Sequence, residues 1–491
     1  MSEKAKVPAL APREYAVVFA GGLTIAFTAW SLSGIRLWSL HALFAGGLLT
    51  FLLAVIPLPK SWNGKDGQHG NTQNLKRLLH FPVFWLGLVF LFYLLIQGLN
   101  PAWLLMKSSS GWWIEEADFI PWLPSSVNAS YKTMNAFRVL TSFSAAYLIV
   151  CGLWVGLQRR VCLVSLLWFF LLSGVCMAIV AILQKFTGAN GVLWSIQSPN
   201  PNFWGTFFYR NEAVAYLTLI ISISGALYFY HLNQSEQQLS SGGPYLLLFV
   251  FVAILYTSIA LALSRGGVIF GGLVVVCFLC SVLFRWMCTS KSHKSIPLFI
   301  ITVMLLGGGS YTVLKYIDLE AIKTRFGDVE ETIKMADKDS RVITTKLTWK
   351  MFQENRWFGW GAGSWRYVFP FYQRSYPEIY YQHYDSNRGW VGRKIYYYAH
   401  NDIVQFLCEY GIAGCGLLLL IFAYWFGLLW FRISGNSFSV FMLSLGVVLA
   451  FCHAIVDFIL QSPAYWLALN GAICASAKLL LLDTERHQPE T

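Results

Sequence analysis

The sequence predicts an all-α integral membrane protein with about twelve transmembrane helices. Hydrophobic residues make up 56% of its 491 positions and charged residues only 12%, about half the charged share of a soluble domain. Apolar runs of about 20 residues recur along the chain, the length an α-helix needs to cross a hydrocarbon core. Aromatic residues reach 17%, with 21 Trp, and mean hydropathy is +0.53. Backbone groups in lipid must satisfy one another, which makes helices the default for such runs.

The first run, 15–33, lacks a convincing cleavage site at its end and reads as a retained anchor. Runs at 38–57, 81–99, 137–157, 161–183 and 213–232 follow. The next two, 245–263 and 266–286, are divided only by the turn in "LALSRGGVIFGG". A ninth run, 297–314, precedes a long polar stretch. Apolar runs return at 403–431, 436–458 and 464–482, the first of them long enough to begin as an interfacial turn. Lys and Arg concentrate in 1–14, 58–80, 158–160, 233–244, 287–296, 432–435 and the C-terminal tail. That bias puts these pieces and both termini on the cytoplasmic side. The chain then divides into spans over 1–314, a large outer loop 315–400, spans over 401–482 and a tail 483–491.

The loop opens with an amphipathic helix in "YIDLEAIKTRFGDVEETIKMADKD" and a second in "DSRVITTKLTWKMFQENRWFGWGAGSW", ending at its glycines. Its remainder is rich in Tyr, Trp and Arg, a composition that suits sugar faces and hydroxyls. The same composition suits a cap lying in the membrane interface. All 10 cysteines lie in or beside apolar runs, so no disulfide framework is expected. Cys277 and Cys280 form C-x-x-C inside "VVVCFLCSVLF", where packing in lipid explains them.

Five places could carry chemistry. Arg265 stands in "SRGG" between two spans. A charge at a span centre costs about 2.5–3.5 kcal/mol, and less at an outer turn, where an arginine can simply snorkel to the interface. Its planar fork suits a diphosphate, and the glycines after it allow close approach by backbone or ligand. Arg210, followed by Asn211 and Glu212, sits at the outer start of the sixth span; a surface pair with Glu212 or a charge beside an Asn211 cap also accounts for it. His400 ends the polar stretch in "YYYAHNDIVQF", just before a helix that Asn401 or Asp402 would cap. An imidazole there can take a proton near neutral pH, or simply bond to nearby tyrosines. His453 and Asp457 are spaced i, i+4 in "FCHAIVDFILQSP", so Asp457 could orient His453, both could line the site, or the two could be a structural pair. Arg341, at the start of the second loop helix, is a further supporting candidate. The D-x-D of Asp337, Lys338 and Asp339 lies in a run of alternating charge and reads as a solvated helix end rather than a metal site. No H-E-x-x-H, phosphate-binding glycine loop or G-x-S-x-G occurs.

Taken in order, "LALSRGG", "NRWFGWGAGSWRYVFP", "HNDIVQFLCEYGIAGCG" and "HAIVDFILQSPA" resemble the O-antigen ligase family. That family also includes O-antigen polymerases and protein O-oligosaccharyltransferases. The likeness spans 200–465 by motif. It implies a fold like that of C-type glycosyltransferases, and a metal-independent, inverting transfer that needs no cofactor. The implied donor is a glycan on undecaprenyl diphosphate, and the implied acceptor a hydroxyl of lipid A-core or another glycan. By the resemblance, Arg265 and Arg210 contact the diphosphate, His400 activates the acceptor, and "GWGAGS" is the family's loop motif. It further implies a bacterial inner-membrane protein whose loop 315–400 is periplasmic, with membrane lipids but no nucleic acid among its partners. A polysaccharide polymerase, differing mainly in its acceptor, is the alternative. A transporter of lipid-linked glycans fits less well, because the polar groups gather at one face rather than at midplane.

Overall fold

The computed structural model describes residues 11–66, 69–109, 111–237, 243–288, 339–385, 389–431 and 438–486. The ninth expected span, 297–314, and all but the last residue of the first loop helix lie outside them. The helices are α1 (Pro12–Trp30), α2 (Leu37–Val55), α3 (His69–Leu79), α4 (Pro82–Leu99), α5 (Ala136–Gly156), α6 (Arg160–Phe186), α7 (Arg210–Gln237), α8 (Tyr245–Leu261) and α9 (Arg265–Cys288). After the gap come α10 (Ser340–Glu354), α11 (Trp365–Gln373), α12 (Pro377–Tyr380), α13 (Asp402–Phe431), α14 (Phe438–Val456) and α15 (Pro463–Arg486). Among the described residues, nine helices are long and apolar enough to cross a membrane: α2, α4 to α7, α9 and α13 to α15. Helix α8 is apolar but shorter. The protein is an all-α, multi-pass membrane protein.

Local chemistry sets the helix starts. Pro12, Pro82 and Pro463 each open a helix at the position where a missing N–H costs nothing. Asn135 caps α5 by accepting from the Arg138 N–H at 2.9 Å. Helix α7 is the axis of the bundle: 94% of its most apolar window is buried, and it packs against α6, α8, α9, α14 and α15. Being apolar all round, it suits a fully enclosed position. Helices α2 and α5 approach through small residues. A Cβ on Gly152 would stand 3.0 Å from the Thr50 carbonyl, and one on Gly47 2.9 Å from that of Ala145. Such close backbones replace the hydrophobic drive that lipid does not supply.

A cap covers one end of the bundle. Strands β1 (Pro101–Lys107), β2 (Trp112–Glu116) and β3 (Ser126–Asn128) form a sheet in the order β2-β1-β3, antiparallel on one side of β1 and parallel on the other. A hairpin joins β4 (Tyr381–Asp385) to β5 (Gly389–Arg393). These strands are additions to the helical expectation. The cap has its own core, which gathers Val127 of the sheet, Leu347 and Met351 of α10, and Trp365 and Phe369 of α11. The second loop helix ends at Glu354, short of the glycines, and Pro370 lies inside α11.

The cap is fastened to the bundle at a break in α13. Gly411 has φ 62° and ψ −170°, a conformation open essentially only to glycine. The break frees carbonyls that would otherwise bond within the helix. Trp360 N–H donates to the Cys408 oxygen at 2.8 Å and Gly361 N–H to that of Glu409 at 2.9 Å. The Tyr93 hydroxyl of α4 donates to the Tyr410 oxygen at 2.6 Å. Beyond the break, Ile412 and Ala413 N–H groups donate to Arg356 and Trp357 at 2.8 and 3.1 Å. The glycine loop 356–364 is therefore a backbone plug for the broken helix, and Gly359, Gly361 and Gly363 all have positive φ.

Candidate active site

At the capped end, His400 stands two residues before α13. Its φ of +56° is uncommon for a residue with a side chain. Flanking bonds hold it there. Asn401 caps α13 by accepting from Val404 N–H at 3.0 Å, as expected for one of the two candidate caps. Ala399 N–H donates to Gln405 Oε1 at 2.8 Å. Asp402 ties the same turn to the chain after α14: its carboxylate accepts from Leu460 N–H at 2.7 Å and Gln461 Nε2 at 3.1 Å. The imidazole rests on the edge of Phe458, centroids 4.8 Å apart, and its side chain keeps 24% exposure.

His400 Nδ1 faces Asp457 Oδ1 at 3.5 Å, an ion-pair separation rather than a well-aligned hydrogen bond. The other oxygen of Asp457 accepts from Asn211 Nδ2 at 2.6 Å. Asn211 Oδ1 in turn accepts from the Ser264 hydroxyl at 2.9 Å. Ser264 also receives the Gly267 N–H at 3.3 Å and so starts α9. One chain of side chains thus runs from the start of α9, through the start of α7 and the end of α14, to the histidine. Arg341 Nη2 of α10 approaches Asp457 at 3.9 Å from the cap. Burial works to raise the Asp457 carboxyl, but its approach to His400 and the Arg341 charge outweigh it and hold the group below its usual range.

The arginines flank this chain. Arg210 precedes Asn211 and lines a cavity of about 360 Å³ with Lys185 and Leu263. Arg265 follows Ser264 and is exposed. The glycines after it do admit a close neighbour, but that neighbour is protein: the His453 ring lies over Gly266 and Val214 of α7 over Gly267. Glu212, considered as a surface partner for Arg210, is 1% exposed, and its Oε2 has no hydrogen-bond partner among the described residues. Asn211 lies within α7 rather than capping it.

One reading changes. Asp457 does not orient His453: within 4 Å its carboxylate meets His400 and Arg341, while the buried His453 packs against Gly266 and Phe270. Of the D-x-D, Asp339 caps α10 by accepting from Arg341 N–H at 2.7 Å, and Asp337 and Lys338 lie outside the described residues. Among the described residues, no three His, Cys, Asp or Glu side chains converge as a metal-ligand set. Asn211 and Ser264 are links that sequence reasoning missed; the signal available was their position beside Arg210 and Arg265.

Residues 248–419 match the family model described as O-antigen ligase. This segment is similar to the O-antigen ligase family. The O-antigen ligase segment runs from α8 into α13 and contains Arg265, Arg341, the glycine loop and His400. Arg210, Asn211 and Asp457 lie outside the matched O-antigen ligase segment, and packing of α7 and α14 brings them to it. No curated protein matches the chain.

Proposed function

We propose that the protein is a metal-independent, inverting glycosyltransferase that moves a glycan from an undecaprenyl-diphosphate carrier to an acceptor hydroxyl at the periplasmic face of the inner membrane. The observation that carries this reading is the chain Ser264–Asn211–Asp457–His400, which couples the two arginine-bearing helix starts to one partly exposed imidazole. Arg265 and Arg210 supply permanently charged forks for the diphosphate. As the bond from the anomeric carbon to the diphosphate oxygen breaks, its electron pair leaves with the carrier, and two guanidiniums stabilise the growing charge. With Nδ1 turned to Asp457, the Nε2 of His400 is the basic atom. It takes the acceptor proton as the acceptor oxygen attacks from the face opposite the diphosphate, which inverts the centre. Asp457 positions the ring.

Purified protein with donor lipid and acceptor tests this. His400→Ala should lose transfer but keep donor binding; the Arg265→Gln, Arg210→Gln double variant should lose donor binding. Full transfer by either variant overturns the assignment. The glycans of a strain lacking the protein separate ligase from polymerase. Bare lipid A-core with long donor chains marks a ligase, and accumulated single-repeat donor marks a polymerase.

A further inference from the structure

Beside the histidine lies a second and larger cleft, of about 790 Å³, between the starts of α2 and α5, the segment before α7 and the cap. Arg36, Lys132, Arg138 and Arg366 line it, and no Asp or Glu does so among the described residues. Among the described residues, no carboxylate lies within 4 Å of any of the four. Carbonyls and ring faces hold the three arginines instead. Arg138 donates through Nη2 to the Ile35 oxygen at 2.6 Å and through Nη1 to that of Lys132 at 3.3 Å, while its buried Nε has no partner among the described residues. The Arg36 guanidinium lies over Phe208, 5.4 Å from the ring centre, and that of Arg366 over Tyr398 at 5.0 Å and Tyr397 at 5.4 Å. Like charges gathered in a concave, partly dry space repel, and a bound anion relieves that repulsion.

The cleft also abuts the proposed base. Tyr398 stacks on Phe458 at 5.0 Å and Tyr209 meets it edge-on at 5.3 Å, and the other neighbour of Phe458 is the His400 ring. Consecutive residues divide the two spaces: Tyr209 faces this cleft and Arg210 the smaller cavity. Inverting transfer requires just such a division, with leaving group and acceptor approaching from different sides.

We infer that this cleft is the acceptor subsite and that it takes an acidic glycan, one carrying phosphate or carboxylate on the sugars next to the hydroxyl that reacts. The inference rests on the glycosyl-transfer reading above. Tyr397, Tyr398, Tyr209 and Trp38 offer faces on which sugar rings stack, and the four cations pair with the acid groups. The charge is placed for specificity: a neutral glycan would leave the cations unanswered.

Binding tests this without relying on turnover. The full-length His400→Ala protein in nanodiscs of neutral lipid is titrated with an oligogalacturonate and with an uncharged galactose oligosaccharide of equal length. The acidic probe should bind at least about 10-fold tighter, as expected for one or two charge-assisted contacts. Adding Arg36→Gln, Lys132→Gln and Arg366→Gln should abolish that preference, while donor-lipid binding, assigned above to Arg210 and Arg265, reports that the protein is folded. Restoring Lys at positions 36 and 366 should return part of it. Equal binding of the two probes, or an unchanged preference in the charge-depleted protein, overturns the inference. So does loss of the preference when phosphatidylglycerol enters the nanodisc, which would assign the cleft to a lipid headgroup. Failure of wild-type protein to transfer any glycan would strike the transferase reading instead, and the binding result would stand apart from it.

Discussion

Two polar regions sit at the capped end of the bundle, both built on α13, and they are finished differently. At the Gly411 break, carbonyls freed by the kink are met by a backbone N–H of the glycine loop or by Tyr93, and Gln97 adds bonds to Phe358 and Glu409, both at 3.2 Å. Around His400, capacity is left over: Nδ1 reaches Asp457 only at 3.5 Å, and Glu212 Oε2 is buried without a partner among the described residues. A saturated network rigidifies a joint, whereas buried polar groups left short are costly unless something else uses them. The first region is therefore read as support and the second as a site.

Replacing one key residue in each region breaks the comparison most sharply. His400→Ala should lower transfer by about 10²–10⁴-fold, the usual worth of a general base, with no change in the amount of protein inserted or in its melting temperature. A melting point that falls in step with activity would make His400 structural. Gly411→Ala should do the reverse. Its φ and ψ are strained for any side chain, and the new methyl would strike the Trp357 carbonyl oxygen. A loss of about 3 kcal/mol is expected, seen as a lower melting temperature and poor yield in detergent, with the surviving folded fraction still able to bind donor lipid. An unchanged melting point would mean that the break does not fasten the cap.

The two regions were also unequally legible in the sequence. Hydropathy found the bundle because a span is a local property: 38–57 became Leu37–Val55 and 137–157 became Ala136–Gly156. The break at Gly411 was hidden, since one glycine inside an apolar run reads as a continuing helix. The short strands of the cap were hidden too, because β1 and β3 pair across an intervening hairpin and neither is long enough to show a period alone. At the site, His400, Asp457 and Arg341 were each named as candidates. Their grouping was not, because i, i+4 spacing pointed Asp457 at His453. Helix α14 ends at Val456, and beyond it the carboxylate turns to His400 and to Asn211. A bond between residues 211 and 457 is a property of packing and leaves no trace in spacing.

Asp457 sharpens the comparison at a smaller amplitude, because it works through His400. Asp457→Asn keeps the shape and removes the charge that holds the ring. A misplacement of about 1 Å costs on the order of 10²-fold, so transfer should fall by about that much while KM for donor lipid holds. The pH dependence separates this role from packing. The folded carboxyl titrates below its usual value, so its ionised form stabilises the fold fully above the ordinary carboxylate range. That contribution is lost as pH falls through the lowered value. Wild-type melting temperature should therefore drop across that acid window, and the Asn variant should lack this component. Parallel melting curves for the two proteins would remove Asp457 from the network.

The smallest effect tests the support region alone. The Tyr93 hydroxyl lies 2.6 Å from the Tyr410 oxygen and 2.9 Å from that of Phe358, on either side of the joint between helix and glycine loop. Tyr93→Phe removes the donor and leaves the buried Tyr410 carbonyl without it, at a cost of about 1–3 kcal/mol. Phe358 keeps its bond from Gln97 Nε2, so the loop should stay seated. The expected result is a modest drop in melting temperature with donor binding and KM for both substrates unchanged. If Tyr93→Phe instead altered acceptor KM, the joint would be transmitting strain to His400, nine residues before Glu409 on the same chain, and the division between support and site would fail at that point.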